Sequence, residues 1–125
     1  MPRRVFLREA GNSTDLSWRK IDDLSHLFRT SLSATCFRCA ELLGATIFEV
    51  EKQDITWAYG SMRKGPISRL HDDIKSAIEQ TRRREPIEGT IVAPADIGGY
   101  RKWRVEGRSI GQEGRALMLM LPEPR

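Results

Sequence analysis

The spacing of apolar positions divides the chain into a helical first third and a sheet-forming remainder. Apolar residues recur every three or four positions up to Gly44, which is typical of amphipathic helices. After Gly44 they alternate with polar residues, which is typical of half-buried strands. The pattern therefore predicts a helical unit over residues 1–44 and an α/β unit over residues 45–125.

The helical unit predicts three helices. Pro2 and Gly11 suit the first turn and the end of a short helix over Arg3 to Ala10. Asp15 or Ser17 can cap the next helix, after a polar linker over residues 12–15. The apolar stripe of this second helix consists of Ile21, Leu24, Leu27 and Phe28.

Ser31 is placed to cap a third helix that Gly44 terminates. The inward stripe of this helix consists of Leu32, Cys36, Cys39 and Leu43. Residues 29–31 are the only connection between the second and third helices. Two amphipathic helices joined by such a tight turn are typical of a helix-turn-helix.

The second unit predicts five strands and one long helix. Two strands near residues 47–51 and 55–59 are separated by a polar turn, and Ser68 is placed to cap a helix that ends near Arg84. Three more strands follow, over residues 87–92, 101–107 and 115–121. The last is apolar at odd and even positions alike, so we expect it in the middle of the sheet. The order of elements resembles a PAS or GAF scaffold, which implies that this strand pairs with the first one. The fold class is therefore α+β, with helix-turn-helix-like helices packed on a PAS/GAF-like five-stranded antiparallel sheet.

Composition and charge exclude few classes. The chain has 125 residues and a net charge of +4, with no apolar run long enough to span a bilayer, so we expect a cytoplasmic protein without membrane association. Residues 1–44 hold seven Arg and Lys against five Asp and Glu, and neither unit forms a basic arm. Positive charge alone is thus a weak indication of nucleic acid as a partner.

Three aromatic residues are the candidate ligand-binding residues. Trp57, Tyr59 and Trp103 lie on predicted strands and are expected to line a small-molecule site between the sheet and its long helix. Aromatic strand residues also commonly serve only as core. The two cysteines are expected to be reduced and buried, and His26 and His71 lie in separate elements, so we predict no cofactor, no metal site and no catalytic residue.

The helix-turn-helix leaves open a second interpretation, a DNA-binding transcription regulator. If the third helix entered the major groove, Ser33 and Arg38 would face bases and Arg19 and Arg29 would lie near phosphates. Such a surface has few base-reading side chains. We therefore favour a protein-packing role for the helix pair and keep the DNA-binding role as the alternative.

A family resemblance rests on residues 1–44. The run from Leu24 to Cys39 reads Leu-Ser-x-x-Phe-x-Thr-Ser-x-x-Ala-x-x-x-Arg-Cys, and Met1-Pro2 precedes it. This resembles the region after the catalytic helix of the ImmA/IrrE zinc metallopeptidases of bacteria and phages, which cleave or inactivate a repressor under stress. Thr30 and Cys39 depart from the Val and Leu of the family pattern.

The resemblance implies a regulatory rather than a catalytic role. The family's H-E-x-x-H motif and third zinc ligand have no counterpart in this chain, so we do not expect it to act as a protease by itself. We expect either the tail of a longer peptidase or a free-standing module of stress response and transcription regulation. A repressor or the missing peptidase domain is then the expected protein partner, and a homodimer is left open.

Overall fold

A computed structural model describes residues 3–11, 16–60, 62–82, 88–92, 102–109 and 115–122. These residues form four α-helices and an antiparallel sheet, which confirms the α+β class. The helices are α1 (Arg3–Ala10), α2 (Trp18–Phe28), α3 (Leu32–Leu43) and α4 (Asp72–Arg82). The strands are β1 (Thr46–Glu51), β2 (Asp54–Tyr59), β3 (Gly65–Pro66), β4 (Glu88–Val92), β5 (Lys102–Ser109) and β6 (Arg115–Pro122).

The sheet order is β3-β2-β1-β6-β5-β4. The two-residue β3 adds a short edge to the five strands that the sequence predicts. Strands β1 and β6 pair in the middle, as predicted, with Ile47 opposite Leu119 and Phe48 opposite Met118. Helices α1–α3 cover one face of the sheet and α4 covers the other, so the molecule has three layers.

The central position of β6 follows from its composition. Its leucines, Leu117, Leu119 and Leu121, are buried in the core that the sheet shares with α1–α3. The alternate residues, Ala116, Met118 and Met120, are buried in the core under α4. A strand covered on both faces must carry apolar side chains at odd and even positions alike, and β6 does. The segments 1–44 and 45–125 therefore contribute to a common core on one face of the sheet.

Local signals set the ends of α2 and α3. The hydroxyl of Ser17 accepts a hydrogen bond from the Lys20 amide at 3.1 Å, and that of Ser31 accepts one from the Ala34 amide at 3.1 Å. Both are N-cap bonds that satisfy amides the helix leaves unpaired. Gly44 ends α3 with φ of 70°, a left-handed conformation that glycine adopts without steric cost. The predicted caps Ser17 and Ser31 and the predicted terminator Gly44 are thus confirmed.

The stripe predicted for α2 is wrong at one position. Trp18, Ile21 and Leu24 are buried, and Phe28 packs against the same core. Leu27, however, is 58% exposed. It lies outside the arc of the helix surface that the other four side chains define, since a helix turns about 100° per residue.

The start of α4 also differs from the prediction. Ile67–Arg69 form a separate 3₁₀ turn, so Ser68 does not cap the helix. Leu70 is extended, and α4 begins at Asp72 with the His71 ring accepting a hydrogen bond from the Asp73 amide at 3.2 Å. The predicted linker over residues 12–15, the end of this helix at Arg84 and the strand residue Ile87 lie outside the described residues.

Polar contacts join the helical layer to β5. The Trp18 amide donates to Glu106 Oε1 at 2.8 Å, and the Trp18 indole donates to the Glu106 carbonyl at 3.0 Å. Arg104 donates to the Leu16 carbonyl at 2.7 Å, and Arg108 contacts both carboxylate oxygens of Asp22 at 2.8 and 2.9 Å. The segment from Leu16 through α2 is therefore held on the sheet by polar contacts to β5 as well as through the core.

Candidate functional site: a cleft between α3 and β2

Two adjoining cavities lie where the N-terminal half of α3 faces the sheet. One, of about 360 Å³, is lined by Leu32, Ser33, Glu49, Trp57, Tyr59 and Leu117. The other, of about 490 Å³, is lined by Thr30, Ser31, Ser33, Ala34, Phe37, Arg38 and Tyr59. Ser33 and Tyr59 belong to both, so we treat the two cavities as one site, the α3–β2 cleft.

A β-bulge brings the aromatic residues of β2 into the cleft. Glu49 lies opposite Trp57, but the next residue, Val50, lies opposite Ile55, so Thr56 is an extra residue on β2. Ile55 is consequently buried under α4, whereas Trp57 and Tyr59 pack against the core shared with α1–α3. Without the bulge, the period-two alternation would turn all three side chains to one face.

Three aromatic rings form a continuous row along the cleft. The Trp57 and Tyr59 ring centroids are 5.3 Å apart with planes tilted by 46°. Phe37 of α3 meets Tyr59 edge-on, with centroids 5.5 Å apart and an interplanar angle of 81°. Both separations fall in the favourable range for aromatic pairs. Phe37 is also 49% exposed, so the row continues from the cleft to the protein surface.

Glu49 supplies a carboxylate to the apolar end of the cleft. Its Oε2 accepts a hydrogen bond from the Trp57 indole N–H at 2.9 Å. Its Oε1 accepts bonds from the Thr56 hydroxyl at 3.3 Å and from Arg115 at 3.1 Å. The ion pair with Arg115 balances the charge of a carboxylate whose side chain is only 12% exposed.

One hydroxyl pair joins α3 to β2 across the cleft. Ser33 Oγ and Tyr59 Oη are 3.1 Å apart, within hydrogen-bond distance. The turn before α3 adds hydroxyls to the same end, because Thr30 and Ser31 both line the cavity of about 490 Å³. The cleft thus has an aromatic end at Trp57 and a hydroxyl-rich end at the start of α3. Such a combination of apolar walls and few polar groups is typical of small-molecule sites.

The predicted set of three ligand-binding aromatics is divided between two faces of the sheet. Trp57 and Tyr59 are adjacent in the cleft, but on the α3 face and not beneath the long helix as predicted. Trp103 is buried on the opposite face, in the core under α4. The bulge at Thr56 is the physical reason, because it reverses the facing of Trp57 and Tyr59 relative to Ile55.

Of the four residues predicted for nucleic-acid contact, Ser33 and Arg38 line the same cavity, whereas Arg19 and Arg29 lie on α2 and at its end. Ser33 faces Tyr59 of the sheet, and Arg38 forms an ion pair with Glu41 at 2.6 Å. Arg19 is exposed on α2, and Arg29 is the exposed left-handed residue that ends α2, with φ of 53°. The part of α3 that was expected to face outward therefore partly covers the cleft.

Cys36 and Cys39 are fully buried free thiols in the core shared by the helices and the sheet. Burial raises the pKa of each thiol to about 12, with a smaller contribution from Asp22 at Cys36 and from Cys36 at Cys39. Both therefore stay protonated at neutral pH and pack as small apolar side chains.

Sequence reasoning did not identify Glu49 as a site residue. Its signal was an acidic side chain on a strand with apolar neighbours at Phe48 and Val50. An acidic residue at such a position indicates a site only when the sheet face that carries it is known to be covered by helices. Within the described ranges, no cluster of three or more His, Cys, Asp or Glu side chains is arranged to hold a metal ion.

Comparison of the chain with protein-family models, with curated proteins and with solved structures found no match. Among the parts of the chain that the structure describes, no helix is long and apolar enough to cross a membrane.

Proposed function

We propose that this chain is a non-catalytic sensory and regulatory module of the cytoplasm that binds a small ligand in the α3–β2 cleft. The observation that carries this proposal is the shared wall of the two cavities, Ser33 and Tyr59, which joins the helix pair to the sheet. A molecule bound there contacts both layers at once. Binding energy can therefore bias how α3 lies on β2.

The output of such a module is the exposed side of α3. Phe37 contacts Tyr59 on one side and solvent on the other, so a ligand that moves the Tyr59 ring alters the surface that Phe37 presents. Arg38 and Glu41 flank this surface with a salt-bridged pair. A protein partner that binds this surface would therefore bind differently when the cleft is occupied and when it is empty.

The partner we propose follows from the resemblance to the ImmA/IrrE metallopeptidases. The helix pair would contact a repressor or a peptidase domain, and the sheet would serve as a PAS/GAF-like sensor. The strand order, with β1 and β6 adjacent in the middle, and the long helix α4 on one face are consistent with such a scaffold. A role in stress response and transcription regulation is part of the same proposal.

A ligand screen with a matched variant tests the proposal. Binding of a small molecule in the cleft is expected to raise the melting temperature of the chain and to shift the Trp57 indole N–H resonance. Trp57→Phe is expected to weaken that binding at least tenfold, because it removes ring area from the cleft wall and the N–H that holds the Glu49 carboxylate in place. Glu79→Gln, exposed on α4, is the control and should leave binding unchanged.

The proposal is wrong if a broad screen yields no compound that perturbs Trp57 or Tyr59. It is also wrong if the compounds that bind do so equally well to Trp57→Phe. The DNA-binding alternative predicts a different result. The chain would bind duplex DNA with an affinity that falls strongly with salt, and Trp57→Phe would not change that affinity.

A further inference from the structure

The hydrogen bonds of Glu49 leave one acceptor position open to the cleft. Each carboxylate oxygen offers two lone pairs. Oε1 faces two donors, Arg115 at 3.1 Å and the Thr56 hydroxyl at 3.3 Å, although the single Thr56 proton is shared with the Glu49 carbonyl oxygen at 3.4 Å. Among the described residues, Oε2 accepts only from the Trp57 indole, so it retains one lone pair in the wall of the cavity of about 360 Å³.

The charge around Glu49 restricts what can occupy that position. Arg115 already balances the carboxylate, and both side chains are largely withdrawn from water, being 12% and 30% exposed. A bound anion would lie beside the carboxylate, and a bound cation would compete with Arg115. Each would be desolvated without a new opposite charge, which is costly. A neutral group with an N–H donor avoids both costs.

The remaining walls define the body of the ligand. Leu32 and Leu117 are apolar, and the Trp57 and Tyr59 rings lie 5.3 Å apart at 46° to each other. A planar ring system can stack or meet these rings edge-on with favourable geometry. A cavity of about 360 Å³ is at the small end of the range for ligand sites, so it has room for a body of one or two fused rings but not for a large ligand.

We infer that this cavity recognises a neutral, planar heterocycle of one or two rings whose ring N–H donates a hydrogen bond to Glu49 Oε2. The inference rests on the proposed function, because it names the class of ligand for the same cleft. Glu49 is then the specificity-determining residue, and Trp57 and Tyr59 supply the stacking surface.

Two small molecules of nearly the same shape test the inference on the unmodified chain. Indole carries the ring N–H and benzofuran has an ether oxygen in its place. Titration of ¹⁵N-labelled protein, followed through the Trp57 and backbone Tyr59 resonances, gives a Kd for each. Indole is expected to bind about tenfold more tightly or better. Its ring N–H donates to the charged Glu49 carboxylate, whereas the ether oxygen of benzofuran has no hydrogen to donate.

Two outcomes overturn the inference and separate it from the proposed function. Equal Kd values for indole and benzofuran at the cleft would show that Glu49 does not select an N–H donor, while the cleft would still be a ligand site. Absence of saturable shifts at Trp57 and Tyr59 with either probe would count against this ligand class, and a failed broad screen would then remove the proposed function as well.

Substitution of the carboxylate adds an independent test. Glu49→Gln keeps the shape but weakens the acceptor, and we expect the preference for indole over benzofuran to fall to about twofold or less. Glu51→Gln, exposed two residues further along β1, is the matched control and should keep the full preference. An unchanged preference in Glu49→Gln would overturn the inference. If Glu49→Gln fails to fold, the comparison on the unmodified chain still decides it.

Discussion

Thr81 of α4 lies directly over Gly107 of β5. A Cβ atom built on Gly107 would be 1.9 Å from Thr81 Oγ1 and 2.8 Å from its Cγ2, so no residue larger than glycine fits there without movement. Thr81 is buried, and its hydroxyl donates to the Ala77 carbonyl at 3.0 Å, which fixes its position. The close approach of α4 to the sheet therefore depends on this pair.

We expect Gly107→Ala to destabilise the fold by about 3 kcal/mol, at the upper end of typical overpacking costs. Equilibrium urea unfolding measures the change. Adding Thr81→Ala should recover part of the loss, because the two nearest atoms are removed while Thr81 Cβ, at 2.9 Å, remains.

Gly44→Ala is the contrasting variant for Gly107→Ala. Apart from its two chain neighbours, no described residue has an atom within 4 Å of a Cβ built on Gly44, so its left-handed φ of 70° is what opposes the substitution. The expected cost is about 1–2 kcal/mol, with no recovery from Thr81→Ala. Equal recovery in both backgrounds would contradict the proposed contact between Thr81 and Gly107.

The second prediction concerns the contact between Glu106 and the first residue of α2. The Trp18 amide is one of those that a helix leaves unpaired at its N-terminus, and the Glu106 carboxylate accepts its hydrogen bond at 2.8 Å. The negative charge also interacts favourably with the helix dipole. Glu106→Gln should therefore cost about 1 kcal/mol of folding free energy, since the amide is a weaker acceptor.

Glu41→Gln is the control for Glu106→Gln. Glu41 is exposed and, within the part of the chain that the structure describes, pairs only with Arg38, so its loss should change stability by no more than about 0.5 kcal/mol. Both variants are compared by urea unfolding at low and high salt. A cost for Glu106→Gln no larger than that for Glu41→Gln would show that the helix-end contact does not stabilise the fold.

Local signals in the sequence predicted much of this fold. Ser17, Ser31 and Gly44 act through residues next to them in the chain, and the apolar run of β6 requires cover on both faces whatever the topology. The α+β class and the central position of β6 therefore followed from pattern alone.

The candidate site depended on features that no local pattern contains. The bulge at Thr56 lies where the pairing of β2 with β1 shifts register. It places Trp57 on the face of the sheet that carries Glu49 and not on the face that carries Trp103. The Trp18–Glu106 contact joins residues 88 positions apart. Both depend on how distant segments pair, so the sequence alone did not reveal that Trp57 and Tyr59 lie on one face of the sheet and Trp103 on the other.

The third prediction tests the DNA-binding alternative. Ser33 faces Tyr59 and Arg38 pairs with Glu41, so α3 offers few free groups to a major groove. We expect no saturable binding of a duplex of about 20 base pairs even at low salt, where DNA-binding proteins also bind non-specific sequences, as measured by fluorescence anisotropy. Sequence-selective binding that falls steeply with salt and weakens in Arg29→Ala would contradict this expectation.

The fourth prediction concerns the pH dependence of stability that the buried thiols cause. Burial raises the pKa of Cys36 and Cys39 from 9.0 to about 12, so the unfolded chain releases these protons at lower pH than the folded chain. Their contribution to stability is therefore complete below about pH 9 and is lost as pH rises towards 12. Unfolding free energy measured in urea between pH 7 and pH 10.5 should fall. The Cys36→Ala/Cys39→Ala variant should show a smaller decrease over the same range, although it begins less stable because of the cavities it creates.

The native thiols should also react with a thiol reagent at pH 8 only at the rate of local opening, whereas the urea-unfolded chain reacts at once. Equal pH slopes for the two proteins would mean that the thiols are not withdrawn from water in the folded chain.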